Sequence, residues 1–138
     1  MGGKSSGSFV LSPQGYGVFK GSISLDNNGG FSSVRYKFDR KLMKDVTKIK
    51  LYIKGDGKNY QFRIKSNSDD YYSYISTFST NGDWQEIEIP LKEMYPSFRG
   101  RKIDKQNFSE DYIAEIAFLI GNKNKETFEL LIDKIELR

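Results

Sequence analysis

The sequence predicts an all-β protein in which two antiparallel sheets pack face to face within one domain. Three observations predict it. Apolar and polar residues alternate at period two along most of the 138 residues, the pattern of strands with one face in a core and the other in water. Turn-forming clusters of Gly, Asn and Asp separate these runs; about eight strands at such spacing mark a sandwich or barrel. Helical periodicity is almost absent, and a chain of this length buries one substantial core. Neither a linker nor an internal repeat divides it, so residues 1–138 form a single domain.

The first predicted strand is Gly17–Leu25, "GVFKGSISL", followed by the turn residues Asn27, Asn28, Gly29 and Gly30. These four permit left-handed backbone geometry in a hairpin loop, or form the lip of an open sheet face. In the next strand, Phe31–Phe38, alternation puts Phe31, Ser33, Arg35 and Lys37 on one face and Val34, Tyr36 and Phe38 on the other. "TKIKLYIKG" sets Ile49, Leu51 and Ile53 against lysines and Tyr52, and "NYQFRIKS" sets Tyr60, Phe62 and Ile64 against Gln61, Arg63 and Lys65. Between them "GDGK", Gly55–Lys58, carries the Asp-Gly pair of a tight hairpin, so these strands are expected to pair with each other. It is no phosphate loop, because no helix follows it.

Further strands are predicted at Tyr71–Ser79, Trp84–Pro90, Glu115–Gly121 and Thr127–Leu137. Trp84 opens its strand and is expected to plug the core, as large aromatics do. "PLKEMY" and "SEDYIAE" read as short helical turns; the second lacks a full capping box.

Composition excludes much chemistry. The chain holds no histidine and no cysteine, which removes His- and Cys-based triads, histidine bases and thiolate zinc sites. Paired carboxylates are the remaining route to hydrolysis, yet nothing in the sequence holds two of Asp69, Asp70, Asp83, Glu86 and Glu88 at the separation an acid/base pair needs. No enzyme is expected. The net charge of +4 comes from 22 basic and 18 acidic residues interspersed along the chain, the pattern of a solvated surface, and no basic aromatic motif for nucleic acid appears. No apolar run approaches the roughly 20 residues of a membrane span. "MGGKSS" fits a myristoylation template through Gly2 and Ser6; the preferred reading makes Met1 internal to a longer product.

Six motifs in order, "MGGKSSGSF", "FKGSISLDNNGGFSSVR", "IKGDGKNYQFRI", "TFSTNGDWQEIEIPL", "FRGRKI" and "FLIGNKNKETFELLIDKIEL", resemble the complex I intermediate-associated protein 30 family over nearly the whole chain. The resemblance implies a galactose-binding-like jelly-roll β-sandwich. It also implies a non-catalytic, protein-binding role as an assembly factor or chaperone-like module, as in the mitochondrial members. The alternative, by fold analogy, is a carbohydrate-binding module. Family members carry a tryptophan-containing strand and an acidic residue before "MGG", so an N-terminal strand is expected to be missing here. Thr127 replaces a usual glycine within a turn. Brevity and richness in Lys, Asn and Ile suggest a bacterial member, with the bacterial cytoplasm favoured.

The candidate ligand residues are Asn28, Arg35, Gln61, Arg63, Tyr72, Tyr74 and Arg99. Arg35 beside aromatics suits planar hydrogen bonding or stacking. "DDYYSYISTF" places Tyr72, Tyr74 and Phe78 on one face, either as core or as a platform for sugar rings, with Gln61, Arg63 and Arg35 binding hydroxyls. Arg99, in "FRGR", contacts a partner or merely flanks a turn at Gly100. No cofactor is expected beyond a structural calcium, for which Asp133 is the candidate ligand.

Overall fold

The computed structural model describes residues 6–11, 17–23, 32–98, 101–121 and 126–138. Eleven strands occur among them: β1 Ser6–Leu11, β2 Gly17–Ile23, β3 Ser32–Leu42, β4 Lys48–Lys54, β5 Asn59–Lys65, β6 Ser73–Ser79, β7 Trp84–Pro90, β8 Tyr95–Phe98, β9 Arg101–Lys102, β10 Tyr112–Ile120 and β11 Glu126–Leu137. They form two antiparallel sheets, as expected. One has five strands in the order β1-β2-β11-β4-β7, the other six in the order β3-β10-β5-β6-β8-β9.

Alternation positions the core. Ile49, Leu51 and Ile53 of β4 face Tyr60, Phe62 and Ile64 of β5, with Phe118, Ile120, Leu130 and Ile132 from the two long C-terminal strands completing one cluster. Burying such side chains contributes roughly 1.5–3 kcal/mol each relative to exposure. Ring contacts join neighbouring strands within each layer: Phe19 to Phe128 at 4.8 Å in the five-stranded sheet and Phe62 to Phe118 at 5.3 Å in the six-stranded one, between centroids.

Four expectations are corrected. The strands flanking "GDGK" do not pair: β4 lies in the five-stranded sheet and β5 in the six-stranded one, so Gly55–Lys58 is a corner between sheets. Similarly, β2 and β3 lie in different sheets, so the residues between them are no hairpin connection; 24–31 themselves lie outside the described residues. "SEDYIAE" is no helical turn: from Tyr112 it is strand β10, because Tyr112 and Ile113 pair with Leu42 and Lys41. Trp84 is no core plug; it stands opposite Lys54 on the outer face of β7 and is 43% exposed. The core positions of that strand are Ile87 and Ile89, which share the opposite phase. The other helical turn is found, as the 3-10 turn Leu91–Glu93.

Polar bonds lock the inter-sheet corner. Asp56 Oδ2 accepts the backbone N–H of Glu129 at 2.9 Å, and Asp56 Oδ1 accepts the Tyr60 hydroxyl at 2.9 Å. Thr80 Oγ1 donates to the Lys58 carbonyl at 2.8 Å and accepts the Gly57 N–H at 2.9 Å. Gly57 has φ +87°, the left-handed region that glycine enters without steric cost. A Cβ on Gly55 would fall inside the Thr80 side chain.

On the outer face of the five-stranded sheet, charges alternate across β4 and β7. Lys50 Nζ lies 3.1 Å from Glu86 and 3.3 Å from Glu88, and Lys48 lies 3.2 Å from Glu88. The Tyr52 hydroxyl donates to Glu86 at 2.9 Å. Hydrogen bonds from Tyr52 and Lys50 hold the Glu86 carboxyl below its ordinary pKa, and those from Lys48 and Lys50 do the same for Glu88. A lowered carboxylate pKa stabilises the fold above the unfolded-state pKa; the contribution is lost as pH falls through the folded value. Exposed pairs are worth little, so Lys50→Met is expected to move the thermal midpoint by less than about 4 °C at pH 7, and by less still at pH 3. Differential scanning calorimetry at the two pH values checks this.

Candidate binding faces

Strand pairing brings three of the predicted residues to one surface. On the outer face of the six-stranded sheet, Ala117 of β10 pairs with Arg35 of β3 on one side and Arg63 of β5 on the other; Arg63 pairs with Ile75 of β6, and Ile75 with Tyr95 of β8. The row above is Ser33, Leu119, Gln61 and Thr77, and the row below begins Lys37, Glu115, Lys65. Arg35, Gln61 and Arg63 thus share a face, with Arg35 and Arg63 two strands apart, roughly 10 Å between backbones.

This face is unusually buried for an outward one. Ile75, Ala117, Ser73, Ser97 and Glu115 are all buried, Glu115 to 3% exposure. The long side chains of Arg63, Lys65 and Tyr95 flank them in register. Burial and the like charge of Arg35 pull the Arg63 guanidinium below its ordinary pKa, with Tyr95 opposing. Three side-chain atoms here, Gln61 Oε1, Arg63 Nε and Glu115 Oε1, are buried without a hydrogen-bond partner among the described residues. Buried polar atoms are ordinarily satisfied, so a cluster of exceptions calls for an explanation.

The tyrosine pair lies elsewhere. Tyr74 pairs with Ile64 on the core side of the sheet and is 3% exposed, so it cannot form a ligand platform with Arg35, Gln61 and Arg63. Its ring packs edge-on to Phe108 at 5.0 Å, its hydroxyl donates to Glu110 at 3.3 Å, and burial raises its pKa well above the usual tyrosine value. Tyr72 packs against the same core, 5.5 Å from Tyr74, with Lys105 Nζ 5.2 Å over its ring. Asn28 and Arg99 lie outside the described residues. Asp133 is exposed at the bulge where β11 shifts register between Ile132 and Lys134. Among the described residues, no three Asp or Glu side chains gather to hold a metal.

Sequence reading missed Glu115, Ile75 and Tyr95. Glu115 was legible as the outward phase of "EIAFLI", two residues before Ala117; Tyr95 was not, because β8 is a four-residue strand without alternation.

A second surface stands at the far end of β3 and β10. Leu42 pairs with Tyr112, and both are exposed, Leu42 to 57%. The Arg40 guanidinium lies 4.8 Å from the centroid of the Tyr112 ring. Tyr36, on the same edge strand, is 65% exposed and 5.9 Å from Phe38. Its neighbours Val34 and Phe38 do pack against the core, as the alternation predicts, but at this sheet edge Tyr36 projects into solvent. No helix among the described residues is long and apolar enough to cross a membrane.

Comparison with known proteins places this geometry among relatives. Residues 1–132 match the family model described as complex I intermediate-associated protein 30. The mitochondrial complex I intermediate-associated protein 30 of Drosophila melanogaster is 26% identical over 125 residues, an alignment taking in 75% of this chain and 42% of that protein. The chain therefore spans less than half of that relative. Among solved structures, the family 11 carbohydrate-binding module of the cellulase Lic26A-Cel5E of Clostridium thermocellum superposes with a TM-score of 0.73 at 20% identity, over 97% of this chain and 81% of that one. The family 11 module bound to a β-1,3-1,4-mixed-linked tetrasaccharide gives 0.71 at 20% identity, covering 97% and 82%. At that identity the likeness establishes the jelly-roll fold.

Proposed function

Because the chain belongs to the complex I intermediate-associated protein 30 family, we propose that it is a non-catalytic module that docks onto a protein partner during assembly of a respiratory complex. The observation that carries this is the exposed apolar patch at the end of the edge strand: Leu42 and Tyr112 side by side, Arg40 over the ring, and Tyr36 further along. Scattered apolar side chains are ordinary, but Tyr and Arg together are the residue types that anchor interfaces, and Leu42 widens the apolar area beside them. An edge strand adds unpaired backbone groups to which an extended segment can bond. The fold neighbours supply the alternative ligand, a carbohydrate, and it would occupy a different surface, the outer face of the six-stranded sheet.

The test is co-purification of complex I subunits with the tagged chain, beside a Leu42→Asp/Tyr112→Asp variant. Capture by the parent chain that falls at least about tenfold in the variant supports docking at this patch, since losing two anchors of this kind costs that much or more. Equal capture by both would place the contact elsewhere, and no capture of complex I subunits would remove the assembly reading.

A further inference from the structure

We infer that the outer face of the six-stranded sheet binds an uncharged, hydroxyl-rich ligand, a neutral glycan chain, through Gln61, Arg63 and Glu115. This goes beyond protein docking and uses none of the residues of the Leu42–Tyr112 patch. The three unpartnered atoms are an acceptor, a donor and an acceptor: Gln61 Oε1, Arg63 Nε and Glu115 Oε1. Gln61 and Arg63 are two residues apart on β5, and Glu115 on β10 is diagonal to Arg63, because its direct partner is Lys65. Gln61 and Glu115 lie four residues apart along the strand direction and one strand over, so the set spans roughly 14 Å between backbones, about the length of two or three sugar rings.

Charge selects the ligand class. Glu115 sits among the floor residues, with Lys37 and Lys65 opposite it on the neighbouring strands. Neither closes an ion pair with it among the described residues; the Lys65 ammonium instead donates to the Asp70 carbonyl at 2.8 Å. A buried carboxylate left in this state costs stability unless a donor arrives. Glu115 would repel an anionic group placed against its carboxylate, and a cationic one would meet Arg63, Arg35, Lys37 and Lys65. A hydroxyl carries no charge and both donates and accepts, so a row of hydroxyls can donate to Gln61 and Glu115 and accept from Arg63. The middle row of the floor is apolar, Ala117 and Ile75, and ends at the Tyr95 ring. Such a surface receives the C–H faces of pyranose rings.

Native gels cast with neutral polysaccharides (a β-1,3-1,4-glucan, a xyloglucan, a galactomannan) and with anionic ones (polygalacturonate, dextran sulfate) test the inference on the full chain. The expected result is retardation by at least one neutral polymer and weaker or no retardation by the anionic ones. Arg63→Met and Glu115→Gln should each weaken it about tenfold or more, the usual effect of leaving a buried partner unpaired. Glu115→Gln should at the same time leave the thermal midpoint unchanged or raise it, because an unpaired buried charge is removed; a merely structural glutamate would give a fall. Gln61→Leu keeps the test decisive if Arg63→Met fails to fold. Equal retardation of the variants, retardation confined to anionic polymers, a lowered midpoint for Glu115→Gln, or no retardation in any gel would each overturn the assignment. The Leu42→Asp/Tyr112→Asp variant should be retarded like the parent chain, which separates failure here from failure of the docking patch.

Discussion

Gly55→Ala is expected to lower the thermal midpoint by about 10 °C or more, the equivalent of roughly 3 kcal/mol in a chain of this size. The added methyl falls inside the Thr80 side chain. Thr80 cannot swing aside cheaply, because its hydroxyl is committed at both ends, donating to Lys58 and accepting from Gly57. A double-mutant cycle isolates the clash. In a Thr80→Gly background the cost of Gly55→Ala should fall by more than half; additive costs would show that the two positions do not collide.

Asp56→Ala is expected to cost about 2–4 kcal/mol, read as a lower midpoint in urea denaturation. The carboxylate caps the Glu129 N–H at a point on β11 beyond the end of β4, and it receives the Tyr60 hydroxyl from the other sheet. Alanine leaves both donors seeking acceptors; the Glu129 carbonyl, 3.2 Å from the hydroxyl, compensates only Tyr60. Asp56→Asn retains one side-chain acceptor and should lose less than half as much. If asparagine and alanine cost the same, hydrogen bonding at the corner is not what stabilises it.

The sequence displays strands more readily than it displays their neighbours. The alternation of Ile49, Leu51 and Ile53, and of Tyr60, Phe62 and Ile64, reports correctly which side chains enter the core. The "GDGK" turn between them specifies a backbone conformation at Gly57 and nothing about which sheet the next strand joins, so the hairpin expectation failed there. Trp84 illustrates residue type losing to phase: Ile87 and Ile89 fix the buried side of β7, and position 84 belongs to the other one. For the candidate site, period two grouped Tyr72 and Tyr74 together and Gln61 and Arg63 together. Only the register, Ile64 against Tyr74 and Arg63 against Ile75, shows that these groups stand on opposite sides of the sheet. Glu115 reads in isolation as one more surface carboxylate; its burial arises from neighbours supplied by the two flanking strands.

The position of β11 has a consequence for biosynthesis. This strand, Glu126–Leu137, sits in the middle of the five-stranded sheet and joins β2 to β4. Until it leaves the ribosome the sheet exists only as two unconnected pairs, β1 with β2 and β4 with β7. A two-stranded ribbon is at best marginally stable in water. At roughly 5–20 residues translated per second, the half-made sheet waits several seconds with its apolar face open. The fold must therefore close after synthesis of residue 137, and a nascent chain stalled before β11 should be protease-sensitive and retained by general chaperones.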